Sequence, residues 1–346
     1  MIIGTTDLHL TDLKLDDYRF EFIEKHFIDE IRNSKAAVDG VVILGDLTEE
    51  KDRHSARLVN RVVNALDAIS RLAPTLILMG NHDYHDEGHP FFGFVSHIEN
   101  LRFIDSVTEG RKLGAPFSKA FGHYLFLPHT RNYKAEWASY IKNGWGDYDC
   151  IFAHNTFDGA DTGYGRKLEG IPAEIFKGHQ VIAGDVHNPQ KVGPVEYIGA
   201  PYTVDFGDDY DPRLLLLKED QVRWRSVGHL PQKTLIHVHP GKDLMDYKSK
   251  IGSGDILKVR VDVDDMTAWN AIVNIVHAQA KKLGARAERV EPVIANRTKR
   301  ASTKVQSGES AISDKEILMQ FADRHRLDDD TLDEGLDLLE DKDSGK

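Results

Sequence analysis

The feature that most constrains this chain is a series of short apolar segments that each end in a cluster of Asp, His or Asn. In the clearest case the run from Thr75 to Met79 is followed at once by Gly80-Asn81-His82-Asp83. Apolar runs of this length are typical of buried strands, and turns after strands favour Gly, Asn and Asp. Turn chemistry accounts for one such cluster, but five in one chain indicate a shared site that suits metal ions. The residues at these strand ends are Asp7, His9, Asp46, Asn81, His82, His154, Asp185 and His187.

The first part of the chain alternates strands with helices. Helical periodicity over Tyr18–Arg32 and Ser55–Leu72 separates three predicted strands. Residues 100–230 hold several shorter strands, two of which also end in polar residues. This order predicts an α/β protein with two sheets packed together and helices outside, a four-layer α/β/β/α sandwich. In α/β sheets, sites are built at the carboxyl ends of the strands.

The pattern changes near Leu230-Pro231, which divides the chain into four predicted parts. Residues 1–230 form the main domain, and residues 232–295 form a small α+β domain of two strands, a helix and a closing strand. Residues 296–309 are polar and basic and are predicted to be a linker. Residues 310–346 are acidic and contain two capping boxes, each opening a short helix with an apolar stripe. We expect these helices to dock onto a partner, the alternative being that they pack on their own chain.

Composition excludes several classes of protein. No apolar run approaches the roughly 18 residues of a membrane span, and the N-terminus has no signal-peptide pattern. We therefore expect a cytoplasmic protein that makes no membrane contact. The single cysteine, Cys150, excludes internal disulfides and cysteine-based zinc sites, so any metal must be bound through nitrogen and oxygen.

The net charge of −12 by itself argues against nucleic acid as a substrate. However, residues 301–346 carry six Lys or Arg and thirteen Asp or Glu, so more than half of this charge lies in the tail. Carboxylates that hold metals are also neutralised by the bound cations. The charge therefore leaves the substrate open.

Taken in order, these motifs resemble those of the calcineurin-like metallophosphoesterase superfamily. The resemblance covers about residues 1–230 and implies two metal ions that share Asp46. The matching motifs are Asp7-x-His9, Gly45-Asp46, Gly80-Asn81-His82-Asp83, His154 and Gly184-Asp185-x-His187. The resemblance implies that one metal takes Asp7, His9, Asp46 and His187, and that the other takes Asp46, Asn81, His154 and Asp185.

The chemistry of such a pair is general. Two cations about 4 Å apart bridge a phosphoryl oxygen, lower the pKa of a bound water and stabilise the charge of in-line displacement. The resemblance implies that His82 is the catalytic proton donor to the leaving oxygen. Asp83, also counted with the catalytic residues, either orients the His82 ring or caps the following turn. Mixed nitrogen and oxygen ligands favour Mn²⁺, with Mg²⁺, Fe and Zn²⁺ as alternatives.

Further motifs bear on the kind of phosphoester. Protein phosphatases of the superfamily carry Gly-Asp-x-x-Asp-Arg-Gly, whereas here Asp52-Arg53 comes three residues late. The segments His187-Asn188-Pro189-Gln190 and 197–208 are instead similar to SbcD-type nuclease subunits of the SbcCD recombination and repair complex. Residues 232–295 and the C-terminal helices lie where those proteins have a DNA-capping domain and dock onto a coiled-coil ATPase. The short chain favours a phage-encoded form.

The resemblance thus implies a Mn²⁺-dependent DNA exonuclease or endonuclease that acts on duplex ends or single strands, as a homodimer bound to an SbcC-like ATPase. Arg131, Lys258, Arg260 and the basic linker are candidate DNA contacts, although Lys258 and Arg260 are equally well explained as solvated strand charges. Two other functions stay open. One is a free-standing phosphodiesterase or phosphatase on nucleotides or small phosphoesters, and the other is a non-catalytic scaffold or binding module.

Two positions depart from the family pattern. Asp185 stands where the family usually has His, and this harder donor should favour Mn²⁺ or Mg²⁺ over Zn²⁺, unless it lies outside the coordination shell. Glu49 stands where many members have a second catalytic His, and we interpret it as a surface residue. His54 and His129 are further candidates for phosphate contact. The histidines interpreted as structural are His123, His237, His239 and His277.

Overall fold

Fifteen strands form three sheets in the part of the chain that the structure, a computed structural model, describes. The predicted linker 296–309 and helical tail 310–346 lie outside this part. The described residues are 1–86, 88–163, 167–218, 221–227, 230–264 and 266–294.

The predicted strands and helices are found in the predicted order, with bounds shifted by one or two residues in most of them, whereas the short strands at 108–109 and 190–192 and the helices within 117–143 are additional. The strands are β1 Ile2–Thr5, β2 Gly40–Ile43, β3 Thr75–Leu78, β4 Leu101–Ile104, β5 Thr108–Glu109, β6 Tyr124–Leu127, β7 Cys150–His154, β8 Val181–Gly184, β9 Gln190–Val192, β10 Val195–Tyr197, β11 Arg213–Lys218, β12 Gln221–Ser226, β13 Lys233–Val238, β14 Ile256–Val263 and β15 Arg286–Ile294. The helices are α1 Asp17–Glu21, α2 Ile28–Arg32, α3 Ala56–Ser70, α4 Phe117–Phe121, α5 Tyr133–Glu136, α6 Ala138–Asn143 and α7 Trp269–Lys282. A π-helical segment, Phe22–Phe27, joins α1 to α2.

The first two sheets have six strands each. The first has the order β12-β11-β1-β2-β3-β4, with β1 to β4 parallel and β11 antiparallel to β1. The second has the order β5-β6-β7-β8-β10-β9, with β6, β7, β8 and β10 parallel. The parallel strands therefore deliver their carboxyl ends to one edge of each sheet.

Alternating side chains on each strand divide the core into layers. Ile2, Val42 and Leu76 of the first sheet share an apolar cluster with Phe126 and Phe152 of the second, so the two sheets pack face to face. The opposite face of the first sheet packs on helices α1, α2 and α3, and that of the second packs on apolar residues that include Trp137 and Phe176. The predicted four-layer α/β/β/α sandwich is confirmed.

A three-stranded parallel sheet, β13-β14-β15, follows the sandwich. One face packs on α7 around Leu257, Val259 and Val276. Lys233 joins this sheet to the sandwich, because its Nζ lies 3.2 Å from Asp16 and its backbone N–H donates to Thr203 Oγ1 at 2.6 Å. Residues Met1–Ile294 form one compact unit, so the domain boundary at residue 230 stays a prediction.

Helix length also bears on membrane contact. Within the described ranges, no helix combines the length and the apolar character that crossing a bilayer requires.

Candidate metal centre

The polar residues that follow β1, β2, β3, β7 and β8 converge into one cluster, which we call the metal centre. His9 Nε2 lies 3.1 Å from His187 Nε2 and 3.6 Å from Asp46 Oδ2. Asp7, His9 and His187 can each offer a donor atom within 4.8 Å of the others. These four side chains are the set predicted for one metal ion.

The second predicted set lies on the other side of Asp46. His154 Nε2 is 3.4 Å from Asp46 Oδ1 and 3.8 Å from Asp185 Oδ1. Asp46 thus presents Oδ2 to His9 and Oδ1 to His154, which is the placement that a bridging carboxylate needs. The second oxygen of Asp185 accepts a hydrogen bond from Thr156 Oγ1.

The Asn81 amide shows how well these donors suit a cation. Its Oδ1 lies 3.1 Å from His154 Nε2, and the same amide position is 3.0 Å from Asp185 Oδ1 and 3.2 Å from Asp46 Oδ2. A side-chain nitrogen at this position donates hydrogen bonds to these atoms, and in the other amide orientation the oxygen would be a ligand for a cation placed among them. The predicted ligand set therefore fits a divalent cation.

The protonation equilibria of the buried ligands point the same way. Burial raises the pKa of Asp7 to about 6 and also raises the pKa of Asp185. Burial by itself would lower the pKa of His154, but Asp46 and the other carboxylates raise it well above its ordinary value. Because buried charges need a partner, the carboxylates draw a proton onto His154 where a cation would otherwise balance them.

Two histidines are oriented toward the predicted metals in different ways. Burial lowers the pKa of His9 well below its ordinary value, which leaves a nitrogen lone pair free to bind metal. His154 Nδ1 donates to the carbonyl oxygen of Leu44, and such a bond directs Nε2 toward the metal and fixes the ring.

The backbone at these ligands is unusual. Asp7, His9, Asp46 and Asp185 have φ values of 50°, 41°, 54° and 92°, in a region that non-glycine residues rarely adopt. Such strain is maintained only where the surrounding structure fixes it, and it clusters at functional sites. Gly45, just before Asp46, also has a positive φ of 90°, and a Cβ there would lie 2.3 Å from His154 Nδ1.

His82 borders the cluster without belonging to either predicted ligand set. Its ring nitrogen Nδ1 is 2.7 Å from the carbonyl oxygen of Glu49, and its backbone N–H donates to Asp46 Oδ1 at 2.8 Å. A ring nitrogen beside a carbonyl oxygen carries the hydrogen, so Nδ1 is held by this contact and the other ring nitrogen is Nε2. His82 is only half-buried and can offer a nitrogen within 4.8 Å of donor atoms of His9 and Asp46.

Asp83 accepts hydrogen bonds from the backbone of two different turns. It is buried, and its Oδ2 accepts hydrogen bonds from the backbone N–H groups of Asp46, at 3.0 Å, and Gly80, at 2.7 Å. Its Oδ1 accepts from Leu47 N at 2.9 Å. Burial, together with Asp46, raises the pKa of Asp83 to about 6. Its carboxylate thus positions the turns that carry Asp46 and Asn81, and the assignment of Asp83 as catalytic stays a prediction.

Glu49, interpreted from sequence as a surface residue, belongs to the surroundings of the metal centre. Its Oε2 lies 3.4 Å from His9 Nδ1 and 3.3 Å from Arg19 Nη1, although 44% of the side chain remains exposed. Arg19 is buried and also donates to the backbone carbonyl of His9. Sequence patterning missed Arg19 because it lies within an amphipathic helical stretch.

The other candidate histidines differ in their surroundings. His54 packs on Phe91, with ring centroids 4.1 Å apart, and its Nε2 lies 2.8 Å from Thr48 Oγ1. His129 stands behind His154, with ring centroids 6.3 Å apart. Burial lowers the pKa of His129 to about 3, so this ring stays neutral.

The candidate DNA contacts fall in two places. Arg131 is exposed, and its guanidinium lies 5.3 Å from the centre of the Tyr84 ring, whose hydroxyl is 2.7 Å from His129 Nδ1. Lys258 and Arg260 lie on the face of β14 opposite α7, and both pair with Glu291, at 3.2 and 3.4 Å. Arg131 is thus linked to the metal centre through neighbouring rings, whereas Lys258 and Arg260 form a charge network on the small sheet.

Together, the α/β/β/α sandwich and the convergent Asp, His and Asn side chains are the features of a metallophosphoesterase. The sequence model of the calcineurin-like phosphoesterase family matches residues 1–233, so the chain belongs to that family. Its members hydrolyse phosphoesters and bind two divalent metals, and the clusters described above are able to hold them.

Three relatives are similar over long segments. "Putative phosphoesterase 244L" of Invertebrate iridescent virus 6 is 29% identical over 225 residues, which is 63% of this chain and 74% of the relative. "Putative phosphoesterase 078R" of Invertebrate iridescent virus 3 is 28% identical over 184 residues, about half of each protein. "Exonuclease subunit 1" of Enterobacteria phage T4 is 25% identical over 281 residues, 77% of each chain.

Proposed function

We propose that this protein is a metal-dependent nuclease that hydrolyses DNA phosphodiester bonds, as the nuclease subunit of an SbcCD-like recombination and repair complex. The observation that carries the proposal is the position of His82 beside the metal centre, with a fixed Nδ1. The T4 relative, which bears the name of an exonuclease subunit and aligns over 77% of this chain, supports a nucleic acid as the substrate.

The metal centre would hold its first cation through Asp7, His9, Asp46 and His187, and its second through Asp46, Asn81, His154 and Asp185. When bound, the two cations polarise the phosphoryl group and make water a better nucleophile at neutral pH. His82 then supplies what the cations do not. Protonated at Nε2, it donates to the oxygen of the leaving strand, while the Glu49 carbonyl keeps the ring in place.

Mn²⁺ is the cation that we propose for this centre. Four of its seven predicted ligands donate oxygen, namely Asp7, Asp46, Asn81 and Asp185. Ligand sets rich in oxygen favour Mn²⁺ and Mg²⁺ over Zn²⁺. Asp185 contributes most to this preference, because the resemblance implies an imidazole at its position.

DNA binding through the phosphate backbone is the next part of the proposal. Arg131 is exposed beside the rings that lead to His154, so it is placed to contact a phosphate next to the reacting one. Contacts of this kind position the strand without reading sequence. The T4 relative is named a subunit, which supports assembly with a partner, and we propose that residues 310–346 dock onto a coiled-coil ATPase in a complex with two nuclease chains.

The proposal is tested by digestion of end-labelled duplex and single-stranded DNA with Mn²⁺. We expect release of nucleotides from DNA by the wild-type protein and none from Asp46→Ala, because loss of the shared carboxylate removes a ligand from both predicted metals. Metal content measured on the same samples should fall in Asp46→Ala alone.

Two results would contradict the proposal, and each favours a different function. Hydrolysis of p-nitrophenyl phosphate-type esters without any DNA cleavage would indicate a free-standing phosphoesterase. Absence of Mn²⁺-stimulated activity on every substrate, with unchanged metal content in Asp46→Ala, would indicate a scaffold.

A further inference from the structure

A second group of metal-ligating side chains lies on the small parallel sheet. His237 is in β13, His239 follows the end of that strand, and Asp262 is near the end of β14. The two histidines are two residues apart on an extended chain, so their side chains project from the same face. All three residues therefore meet at the carboxyl edge of a parallel sheet, where α/β proteins build sites.

The three side chains converge on one point. His237 Nε2 lies 2.8 Å from Asp262 Oδ1, and His239 Nδ1 lies 3.0 Å from Asp262 Oδ2. The ring centroids of the two histidines are 4.3 Å apart. Each residue offers one donor atom within 4.8 Å of the other two.

The neighbouring lysine and arginine side chains form ion pairs with carboxylates other than Asp262. Lys258 and Arg260 pair with Glu291, and Lys242 pairs with Asp246 at 3.9 Å. Within the described ranges, the ion pairs that Asp262 makes are those with the two histidines. The carboxylate and both rings are consequently available to a bound ion.

We propose that His237, His239 and Asp262 bind one divalent transition-metal ion of the zinc class. Two imidazoles and one carboxylate are a common ligand set for Zn²⁺, and imidazole ligands disfavour Mg²⁺ and Ca²⁺. This preference is opposite to that of the oxygen-rich metal centre on the sandwich. The chain therefore carries two kinds of metal site with different ionic preferences.

The three donor atoms lie within 4.8 Å of one another, and the two histidines contact different oxygens of Asp262. With bonds of about 2.0–2.2 Å, ligand atoms in a tetrahedral site stand about 3.4 Å apart. The present separations of 2.8 and 3.0 Å are hydrogen-bond distances, so the side chains would rearrange as the ion replaces the shared hydrogens. Both histidines are accessible, with 40% and 59% of their side chains exposed.

Three protein ligands leave one coordination position for water or another ligand. His239 and Asp262 also line a cavity of about 250 Å³, together with the apolar residues Ile272, Ile275 and Val276. Two of the three proposed ligands thus border a partly apolar cavity. A metal here also ties the ends of β13 and β14 together and stiffens the small sheet.

The site is tested by counting Zn²⁺ ions bound to the full-length chain by equilibrium dialysis. Wild-type protein should bind one equivalent more than the His237→Ala, His239→Ala double variant. The matched control is His277→Ala, which removes an exposed histidine of α7 and should bind as many equivalents as the wild type.

A second measurement needs no variant protein to fold. In wild-type protein labelled with ¹⁵N-histidine, titration with Zn²⁺ should move the imidazole nitrogen resonances of both His237 and His239 and leave that of His277 in place. The proposal is overturned if the double variant and the wild type bind the same number of equivalents, or if these two resonances stay unmoved. Neither measurement depends on DNA hydrolysis, so failure of the proposed nuclease function would leave this result intact.

Discussion

The carboxylate of Asp83 accepts a hydrogen bond of 3.0 Å from the backbone N–H of Asp46. The same carboxylate accepts from Gly80 and Leu47, so one buried side chain joins the turn after β2 to the turn after β3. The position of the shared ligand Asp46 therefore depends on a residue that itself belongs to neither predicted ligand set.

Replacing Asp83 tests this dependence. Asp83→Ala would leave three backbone N–H groups without their acceptor, and a buried donor without a partner costs about 1–3 kcal/mol. We expect the free energy of unfolding to fall by about 3–5 kcal/mol in denaturant titrations and metal affinity to fall with it. Asp83→Asn keeps one acceptor oxygen, so its free energy of unfolding should lie between those of the wild type and Asp83→Ala. A loss below about 1 kcal/mol in Asp83→Ala would show that water replaces the carboxylate.

Gly45 provides a test of close packing. Gly45→Ala places a Cβ 2.3 Å from His154 Nδ1, in a backbone conformation with φ of 90°. Gly178 also has φ of 90° but has no atom within 4 Å of such a Cβ, so Gly178→Ala measures the conformational effect alone, about 1–2 kcal/mol. We expect Gly45→Ala to lose at least about 2 kcal/mol more in denaturant titrations and to bind less metal. Equal losses in the two variants would mean that the ring of His154 moves aside freely.

His82 is tested by rate and metal content together. His82→Ala should lower the rate of DNA hydrolysis by about 10²–10⁴-fold, the usual contribution of a general acid. Its metal content should equal that of the wild type, because His82 lies outside both predicted ligand sets. His123→Ala, which removes an exposed histidine, serves as the control and should retain full rate. A wild-type rate in His82→Ala would remove the proton-donor role.

Asp185 tests the proposed preference for Mn²⁺. Asp185→His exchanges an oxygen donor for an imidazole, so the ratio of Zn²⁺ to Mn²⁺ affinity should rise by about tenfold or more, following ligand softness. Competition between the two ions, measured by metal analysis after dialysis, gives this ratio directly. Asp185→Asn keeps an oxygen donor and should leave the preference for Mn²⁺ in place. An unchanged ratio in Asp185→His would place residue 185 outside the coordination shell.

The C-terminal segment is tested by deletion. Removing residues 310–346 should abolish co-purification with a coiled-coil ATPase while metal content stays unchanged, since all seven predicted ligands precede residue 188. Co-expression of each form with the ATPase, followed by affinity capture, provides the measurement. Retained co-purification would refute the docking role of this segment.

Much of the sandwich was predictable because its strands are buried on both faces and read as continuous apolar runs. Each predicted ligand is found in the cluster because it directly follows such a run, and parallel strands bring their carboxyl ends together. Asp185 also follows a buried strand and lies in the cluster, although its residue type departs from the family pattern.

Other parts of the metal centre depend on contacts between distant residues, which periodicity does not register. Asp83 lies 37 residues from Asp46, and its three backbone partners leave no trace in the local sequence. The sequence predicts Glu49 to be a surface residue, and its carboxylate also lies 3.4 Å from His9 Nδ1. The positive φ values of Asp7 and His9 were likewise beyond prediction, because local sequence favours such angles for glycine and asparagine.

The ligands of each predicted metal come from both sheets of the sandwich. His9 follows β1 in the first sheet and His187 follows β8 in the second, 178 residues later in the chain. A cation held between them would close a loop of that length, which restricts the unfolded chain as a distant cross-link does. Unlike a covalent link, this one is reversible, so the free energy of unfolding would rise with the concentration of free metal.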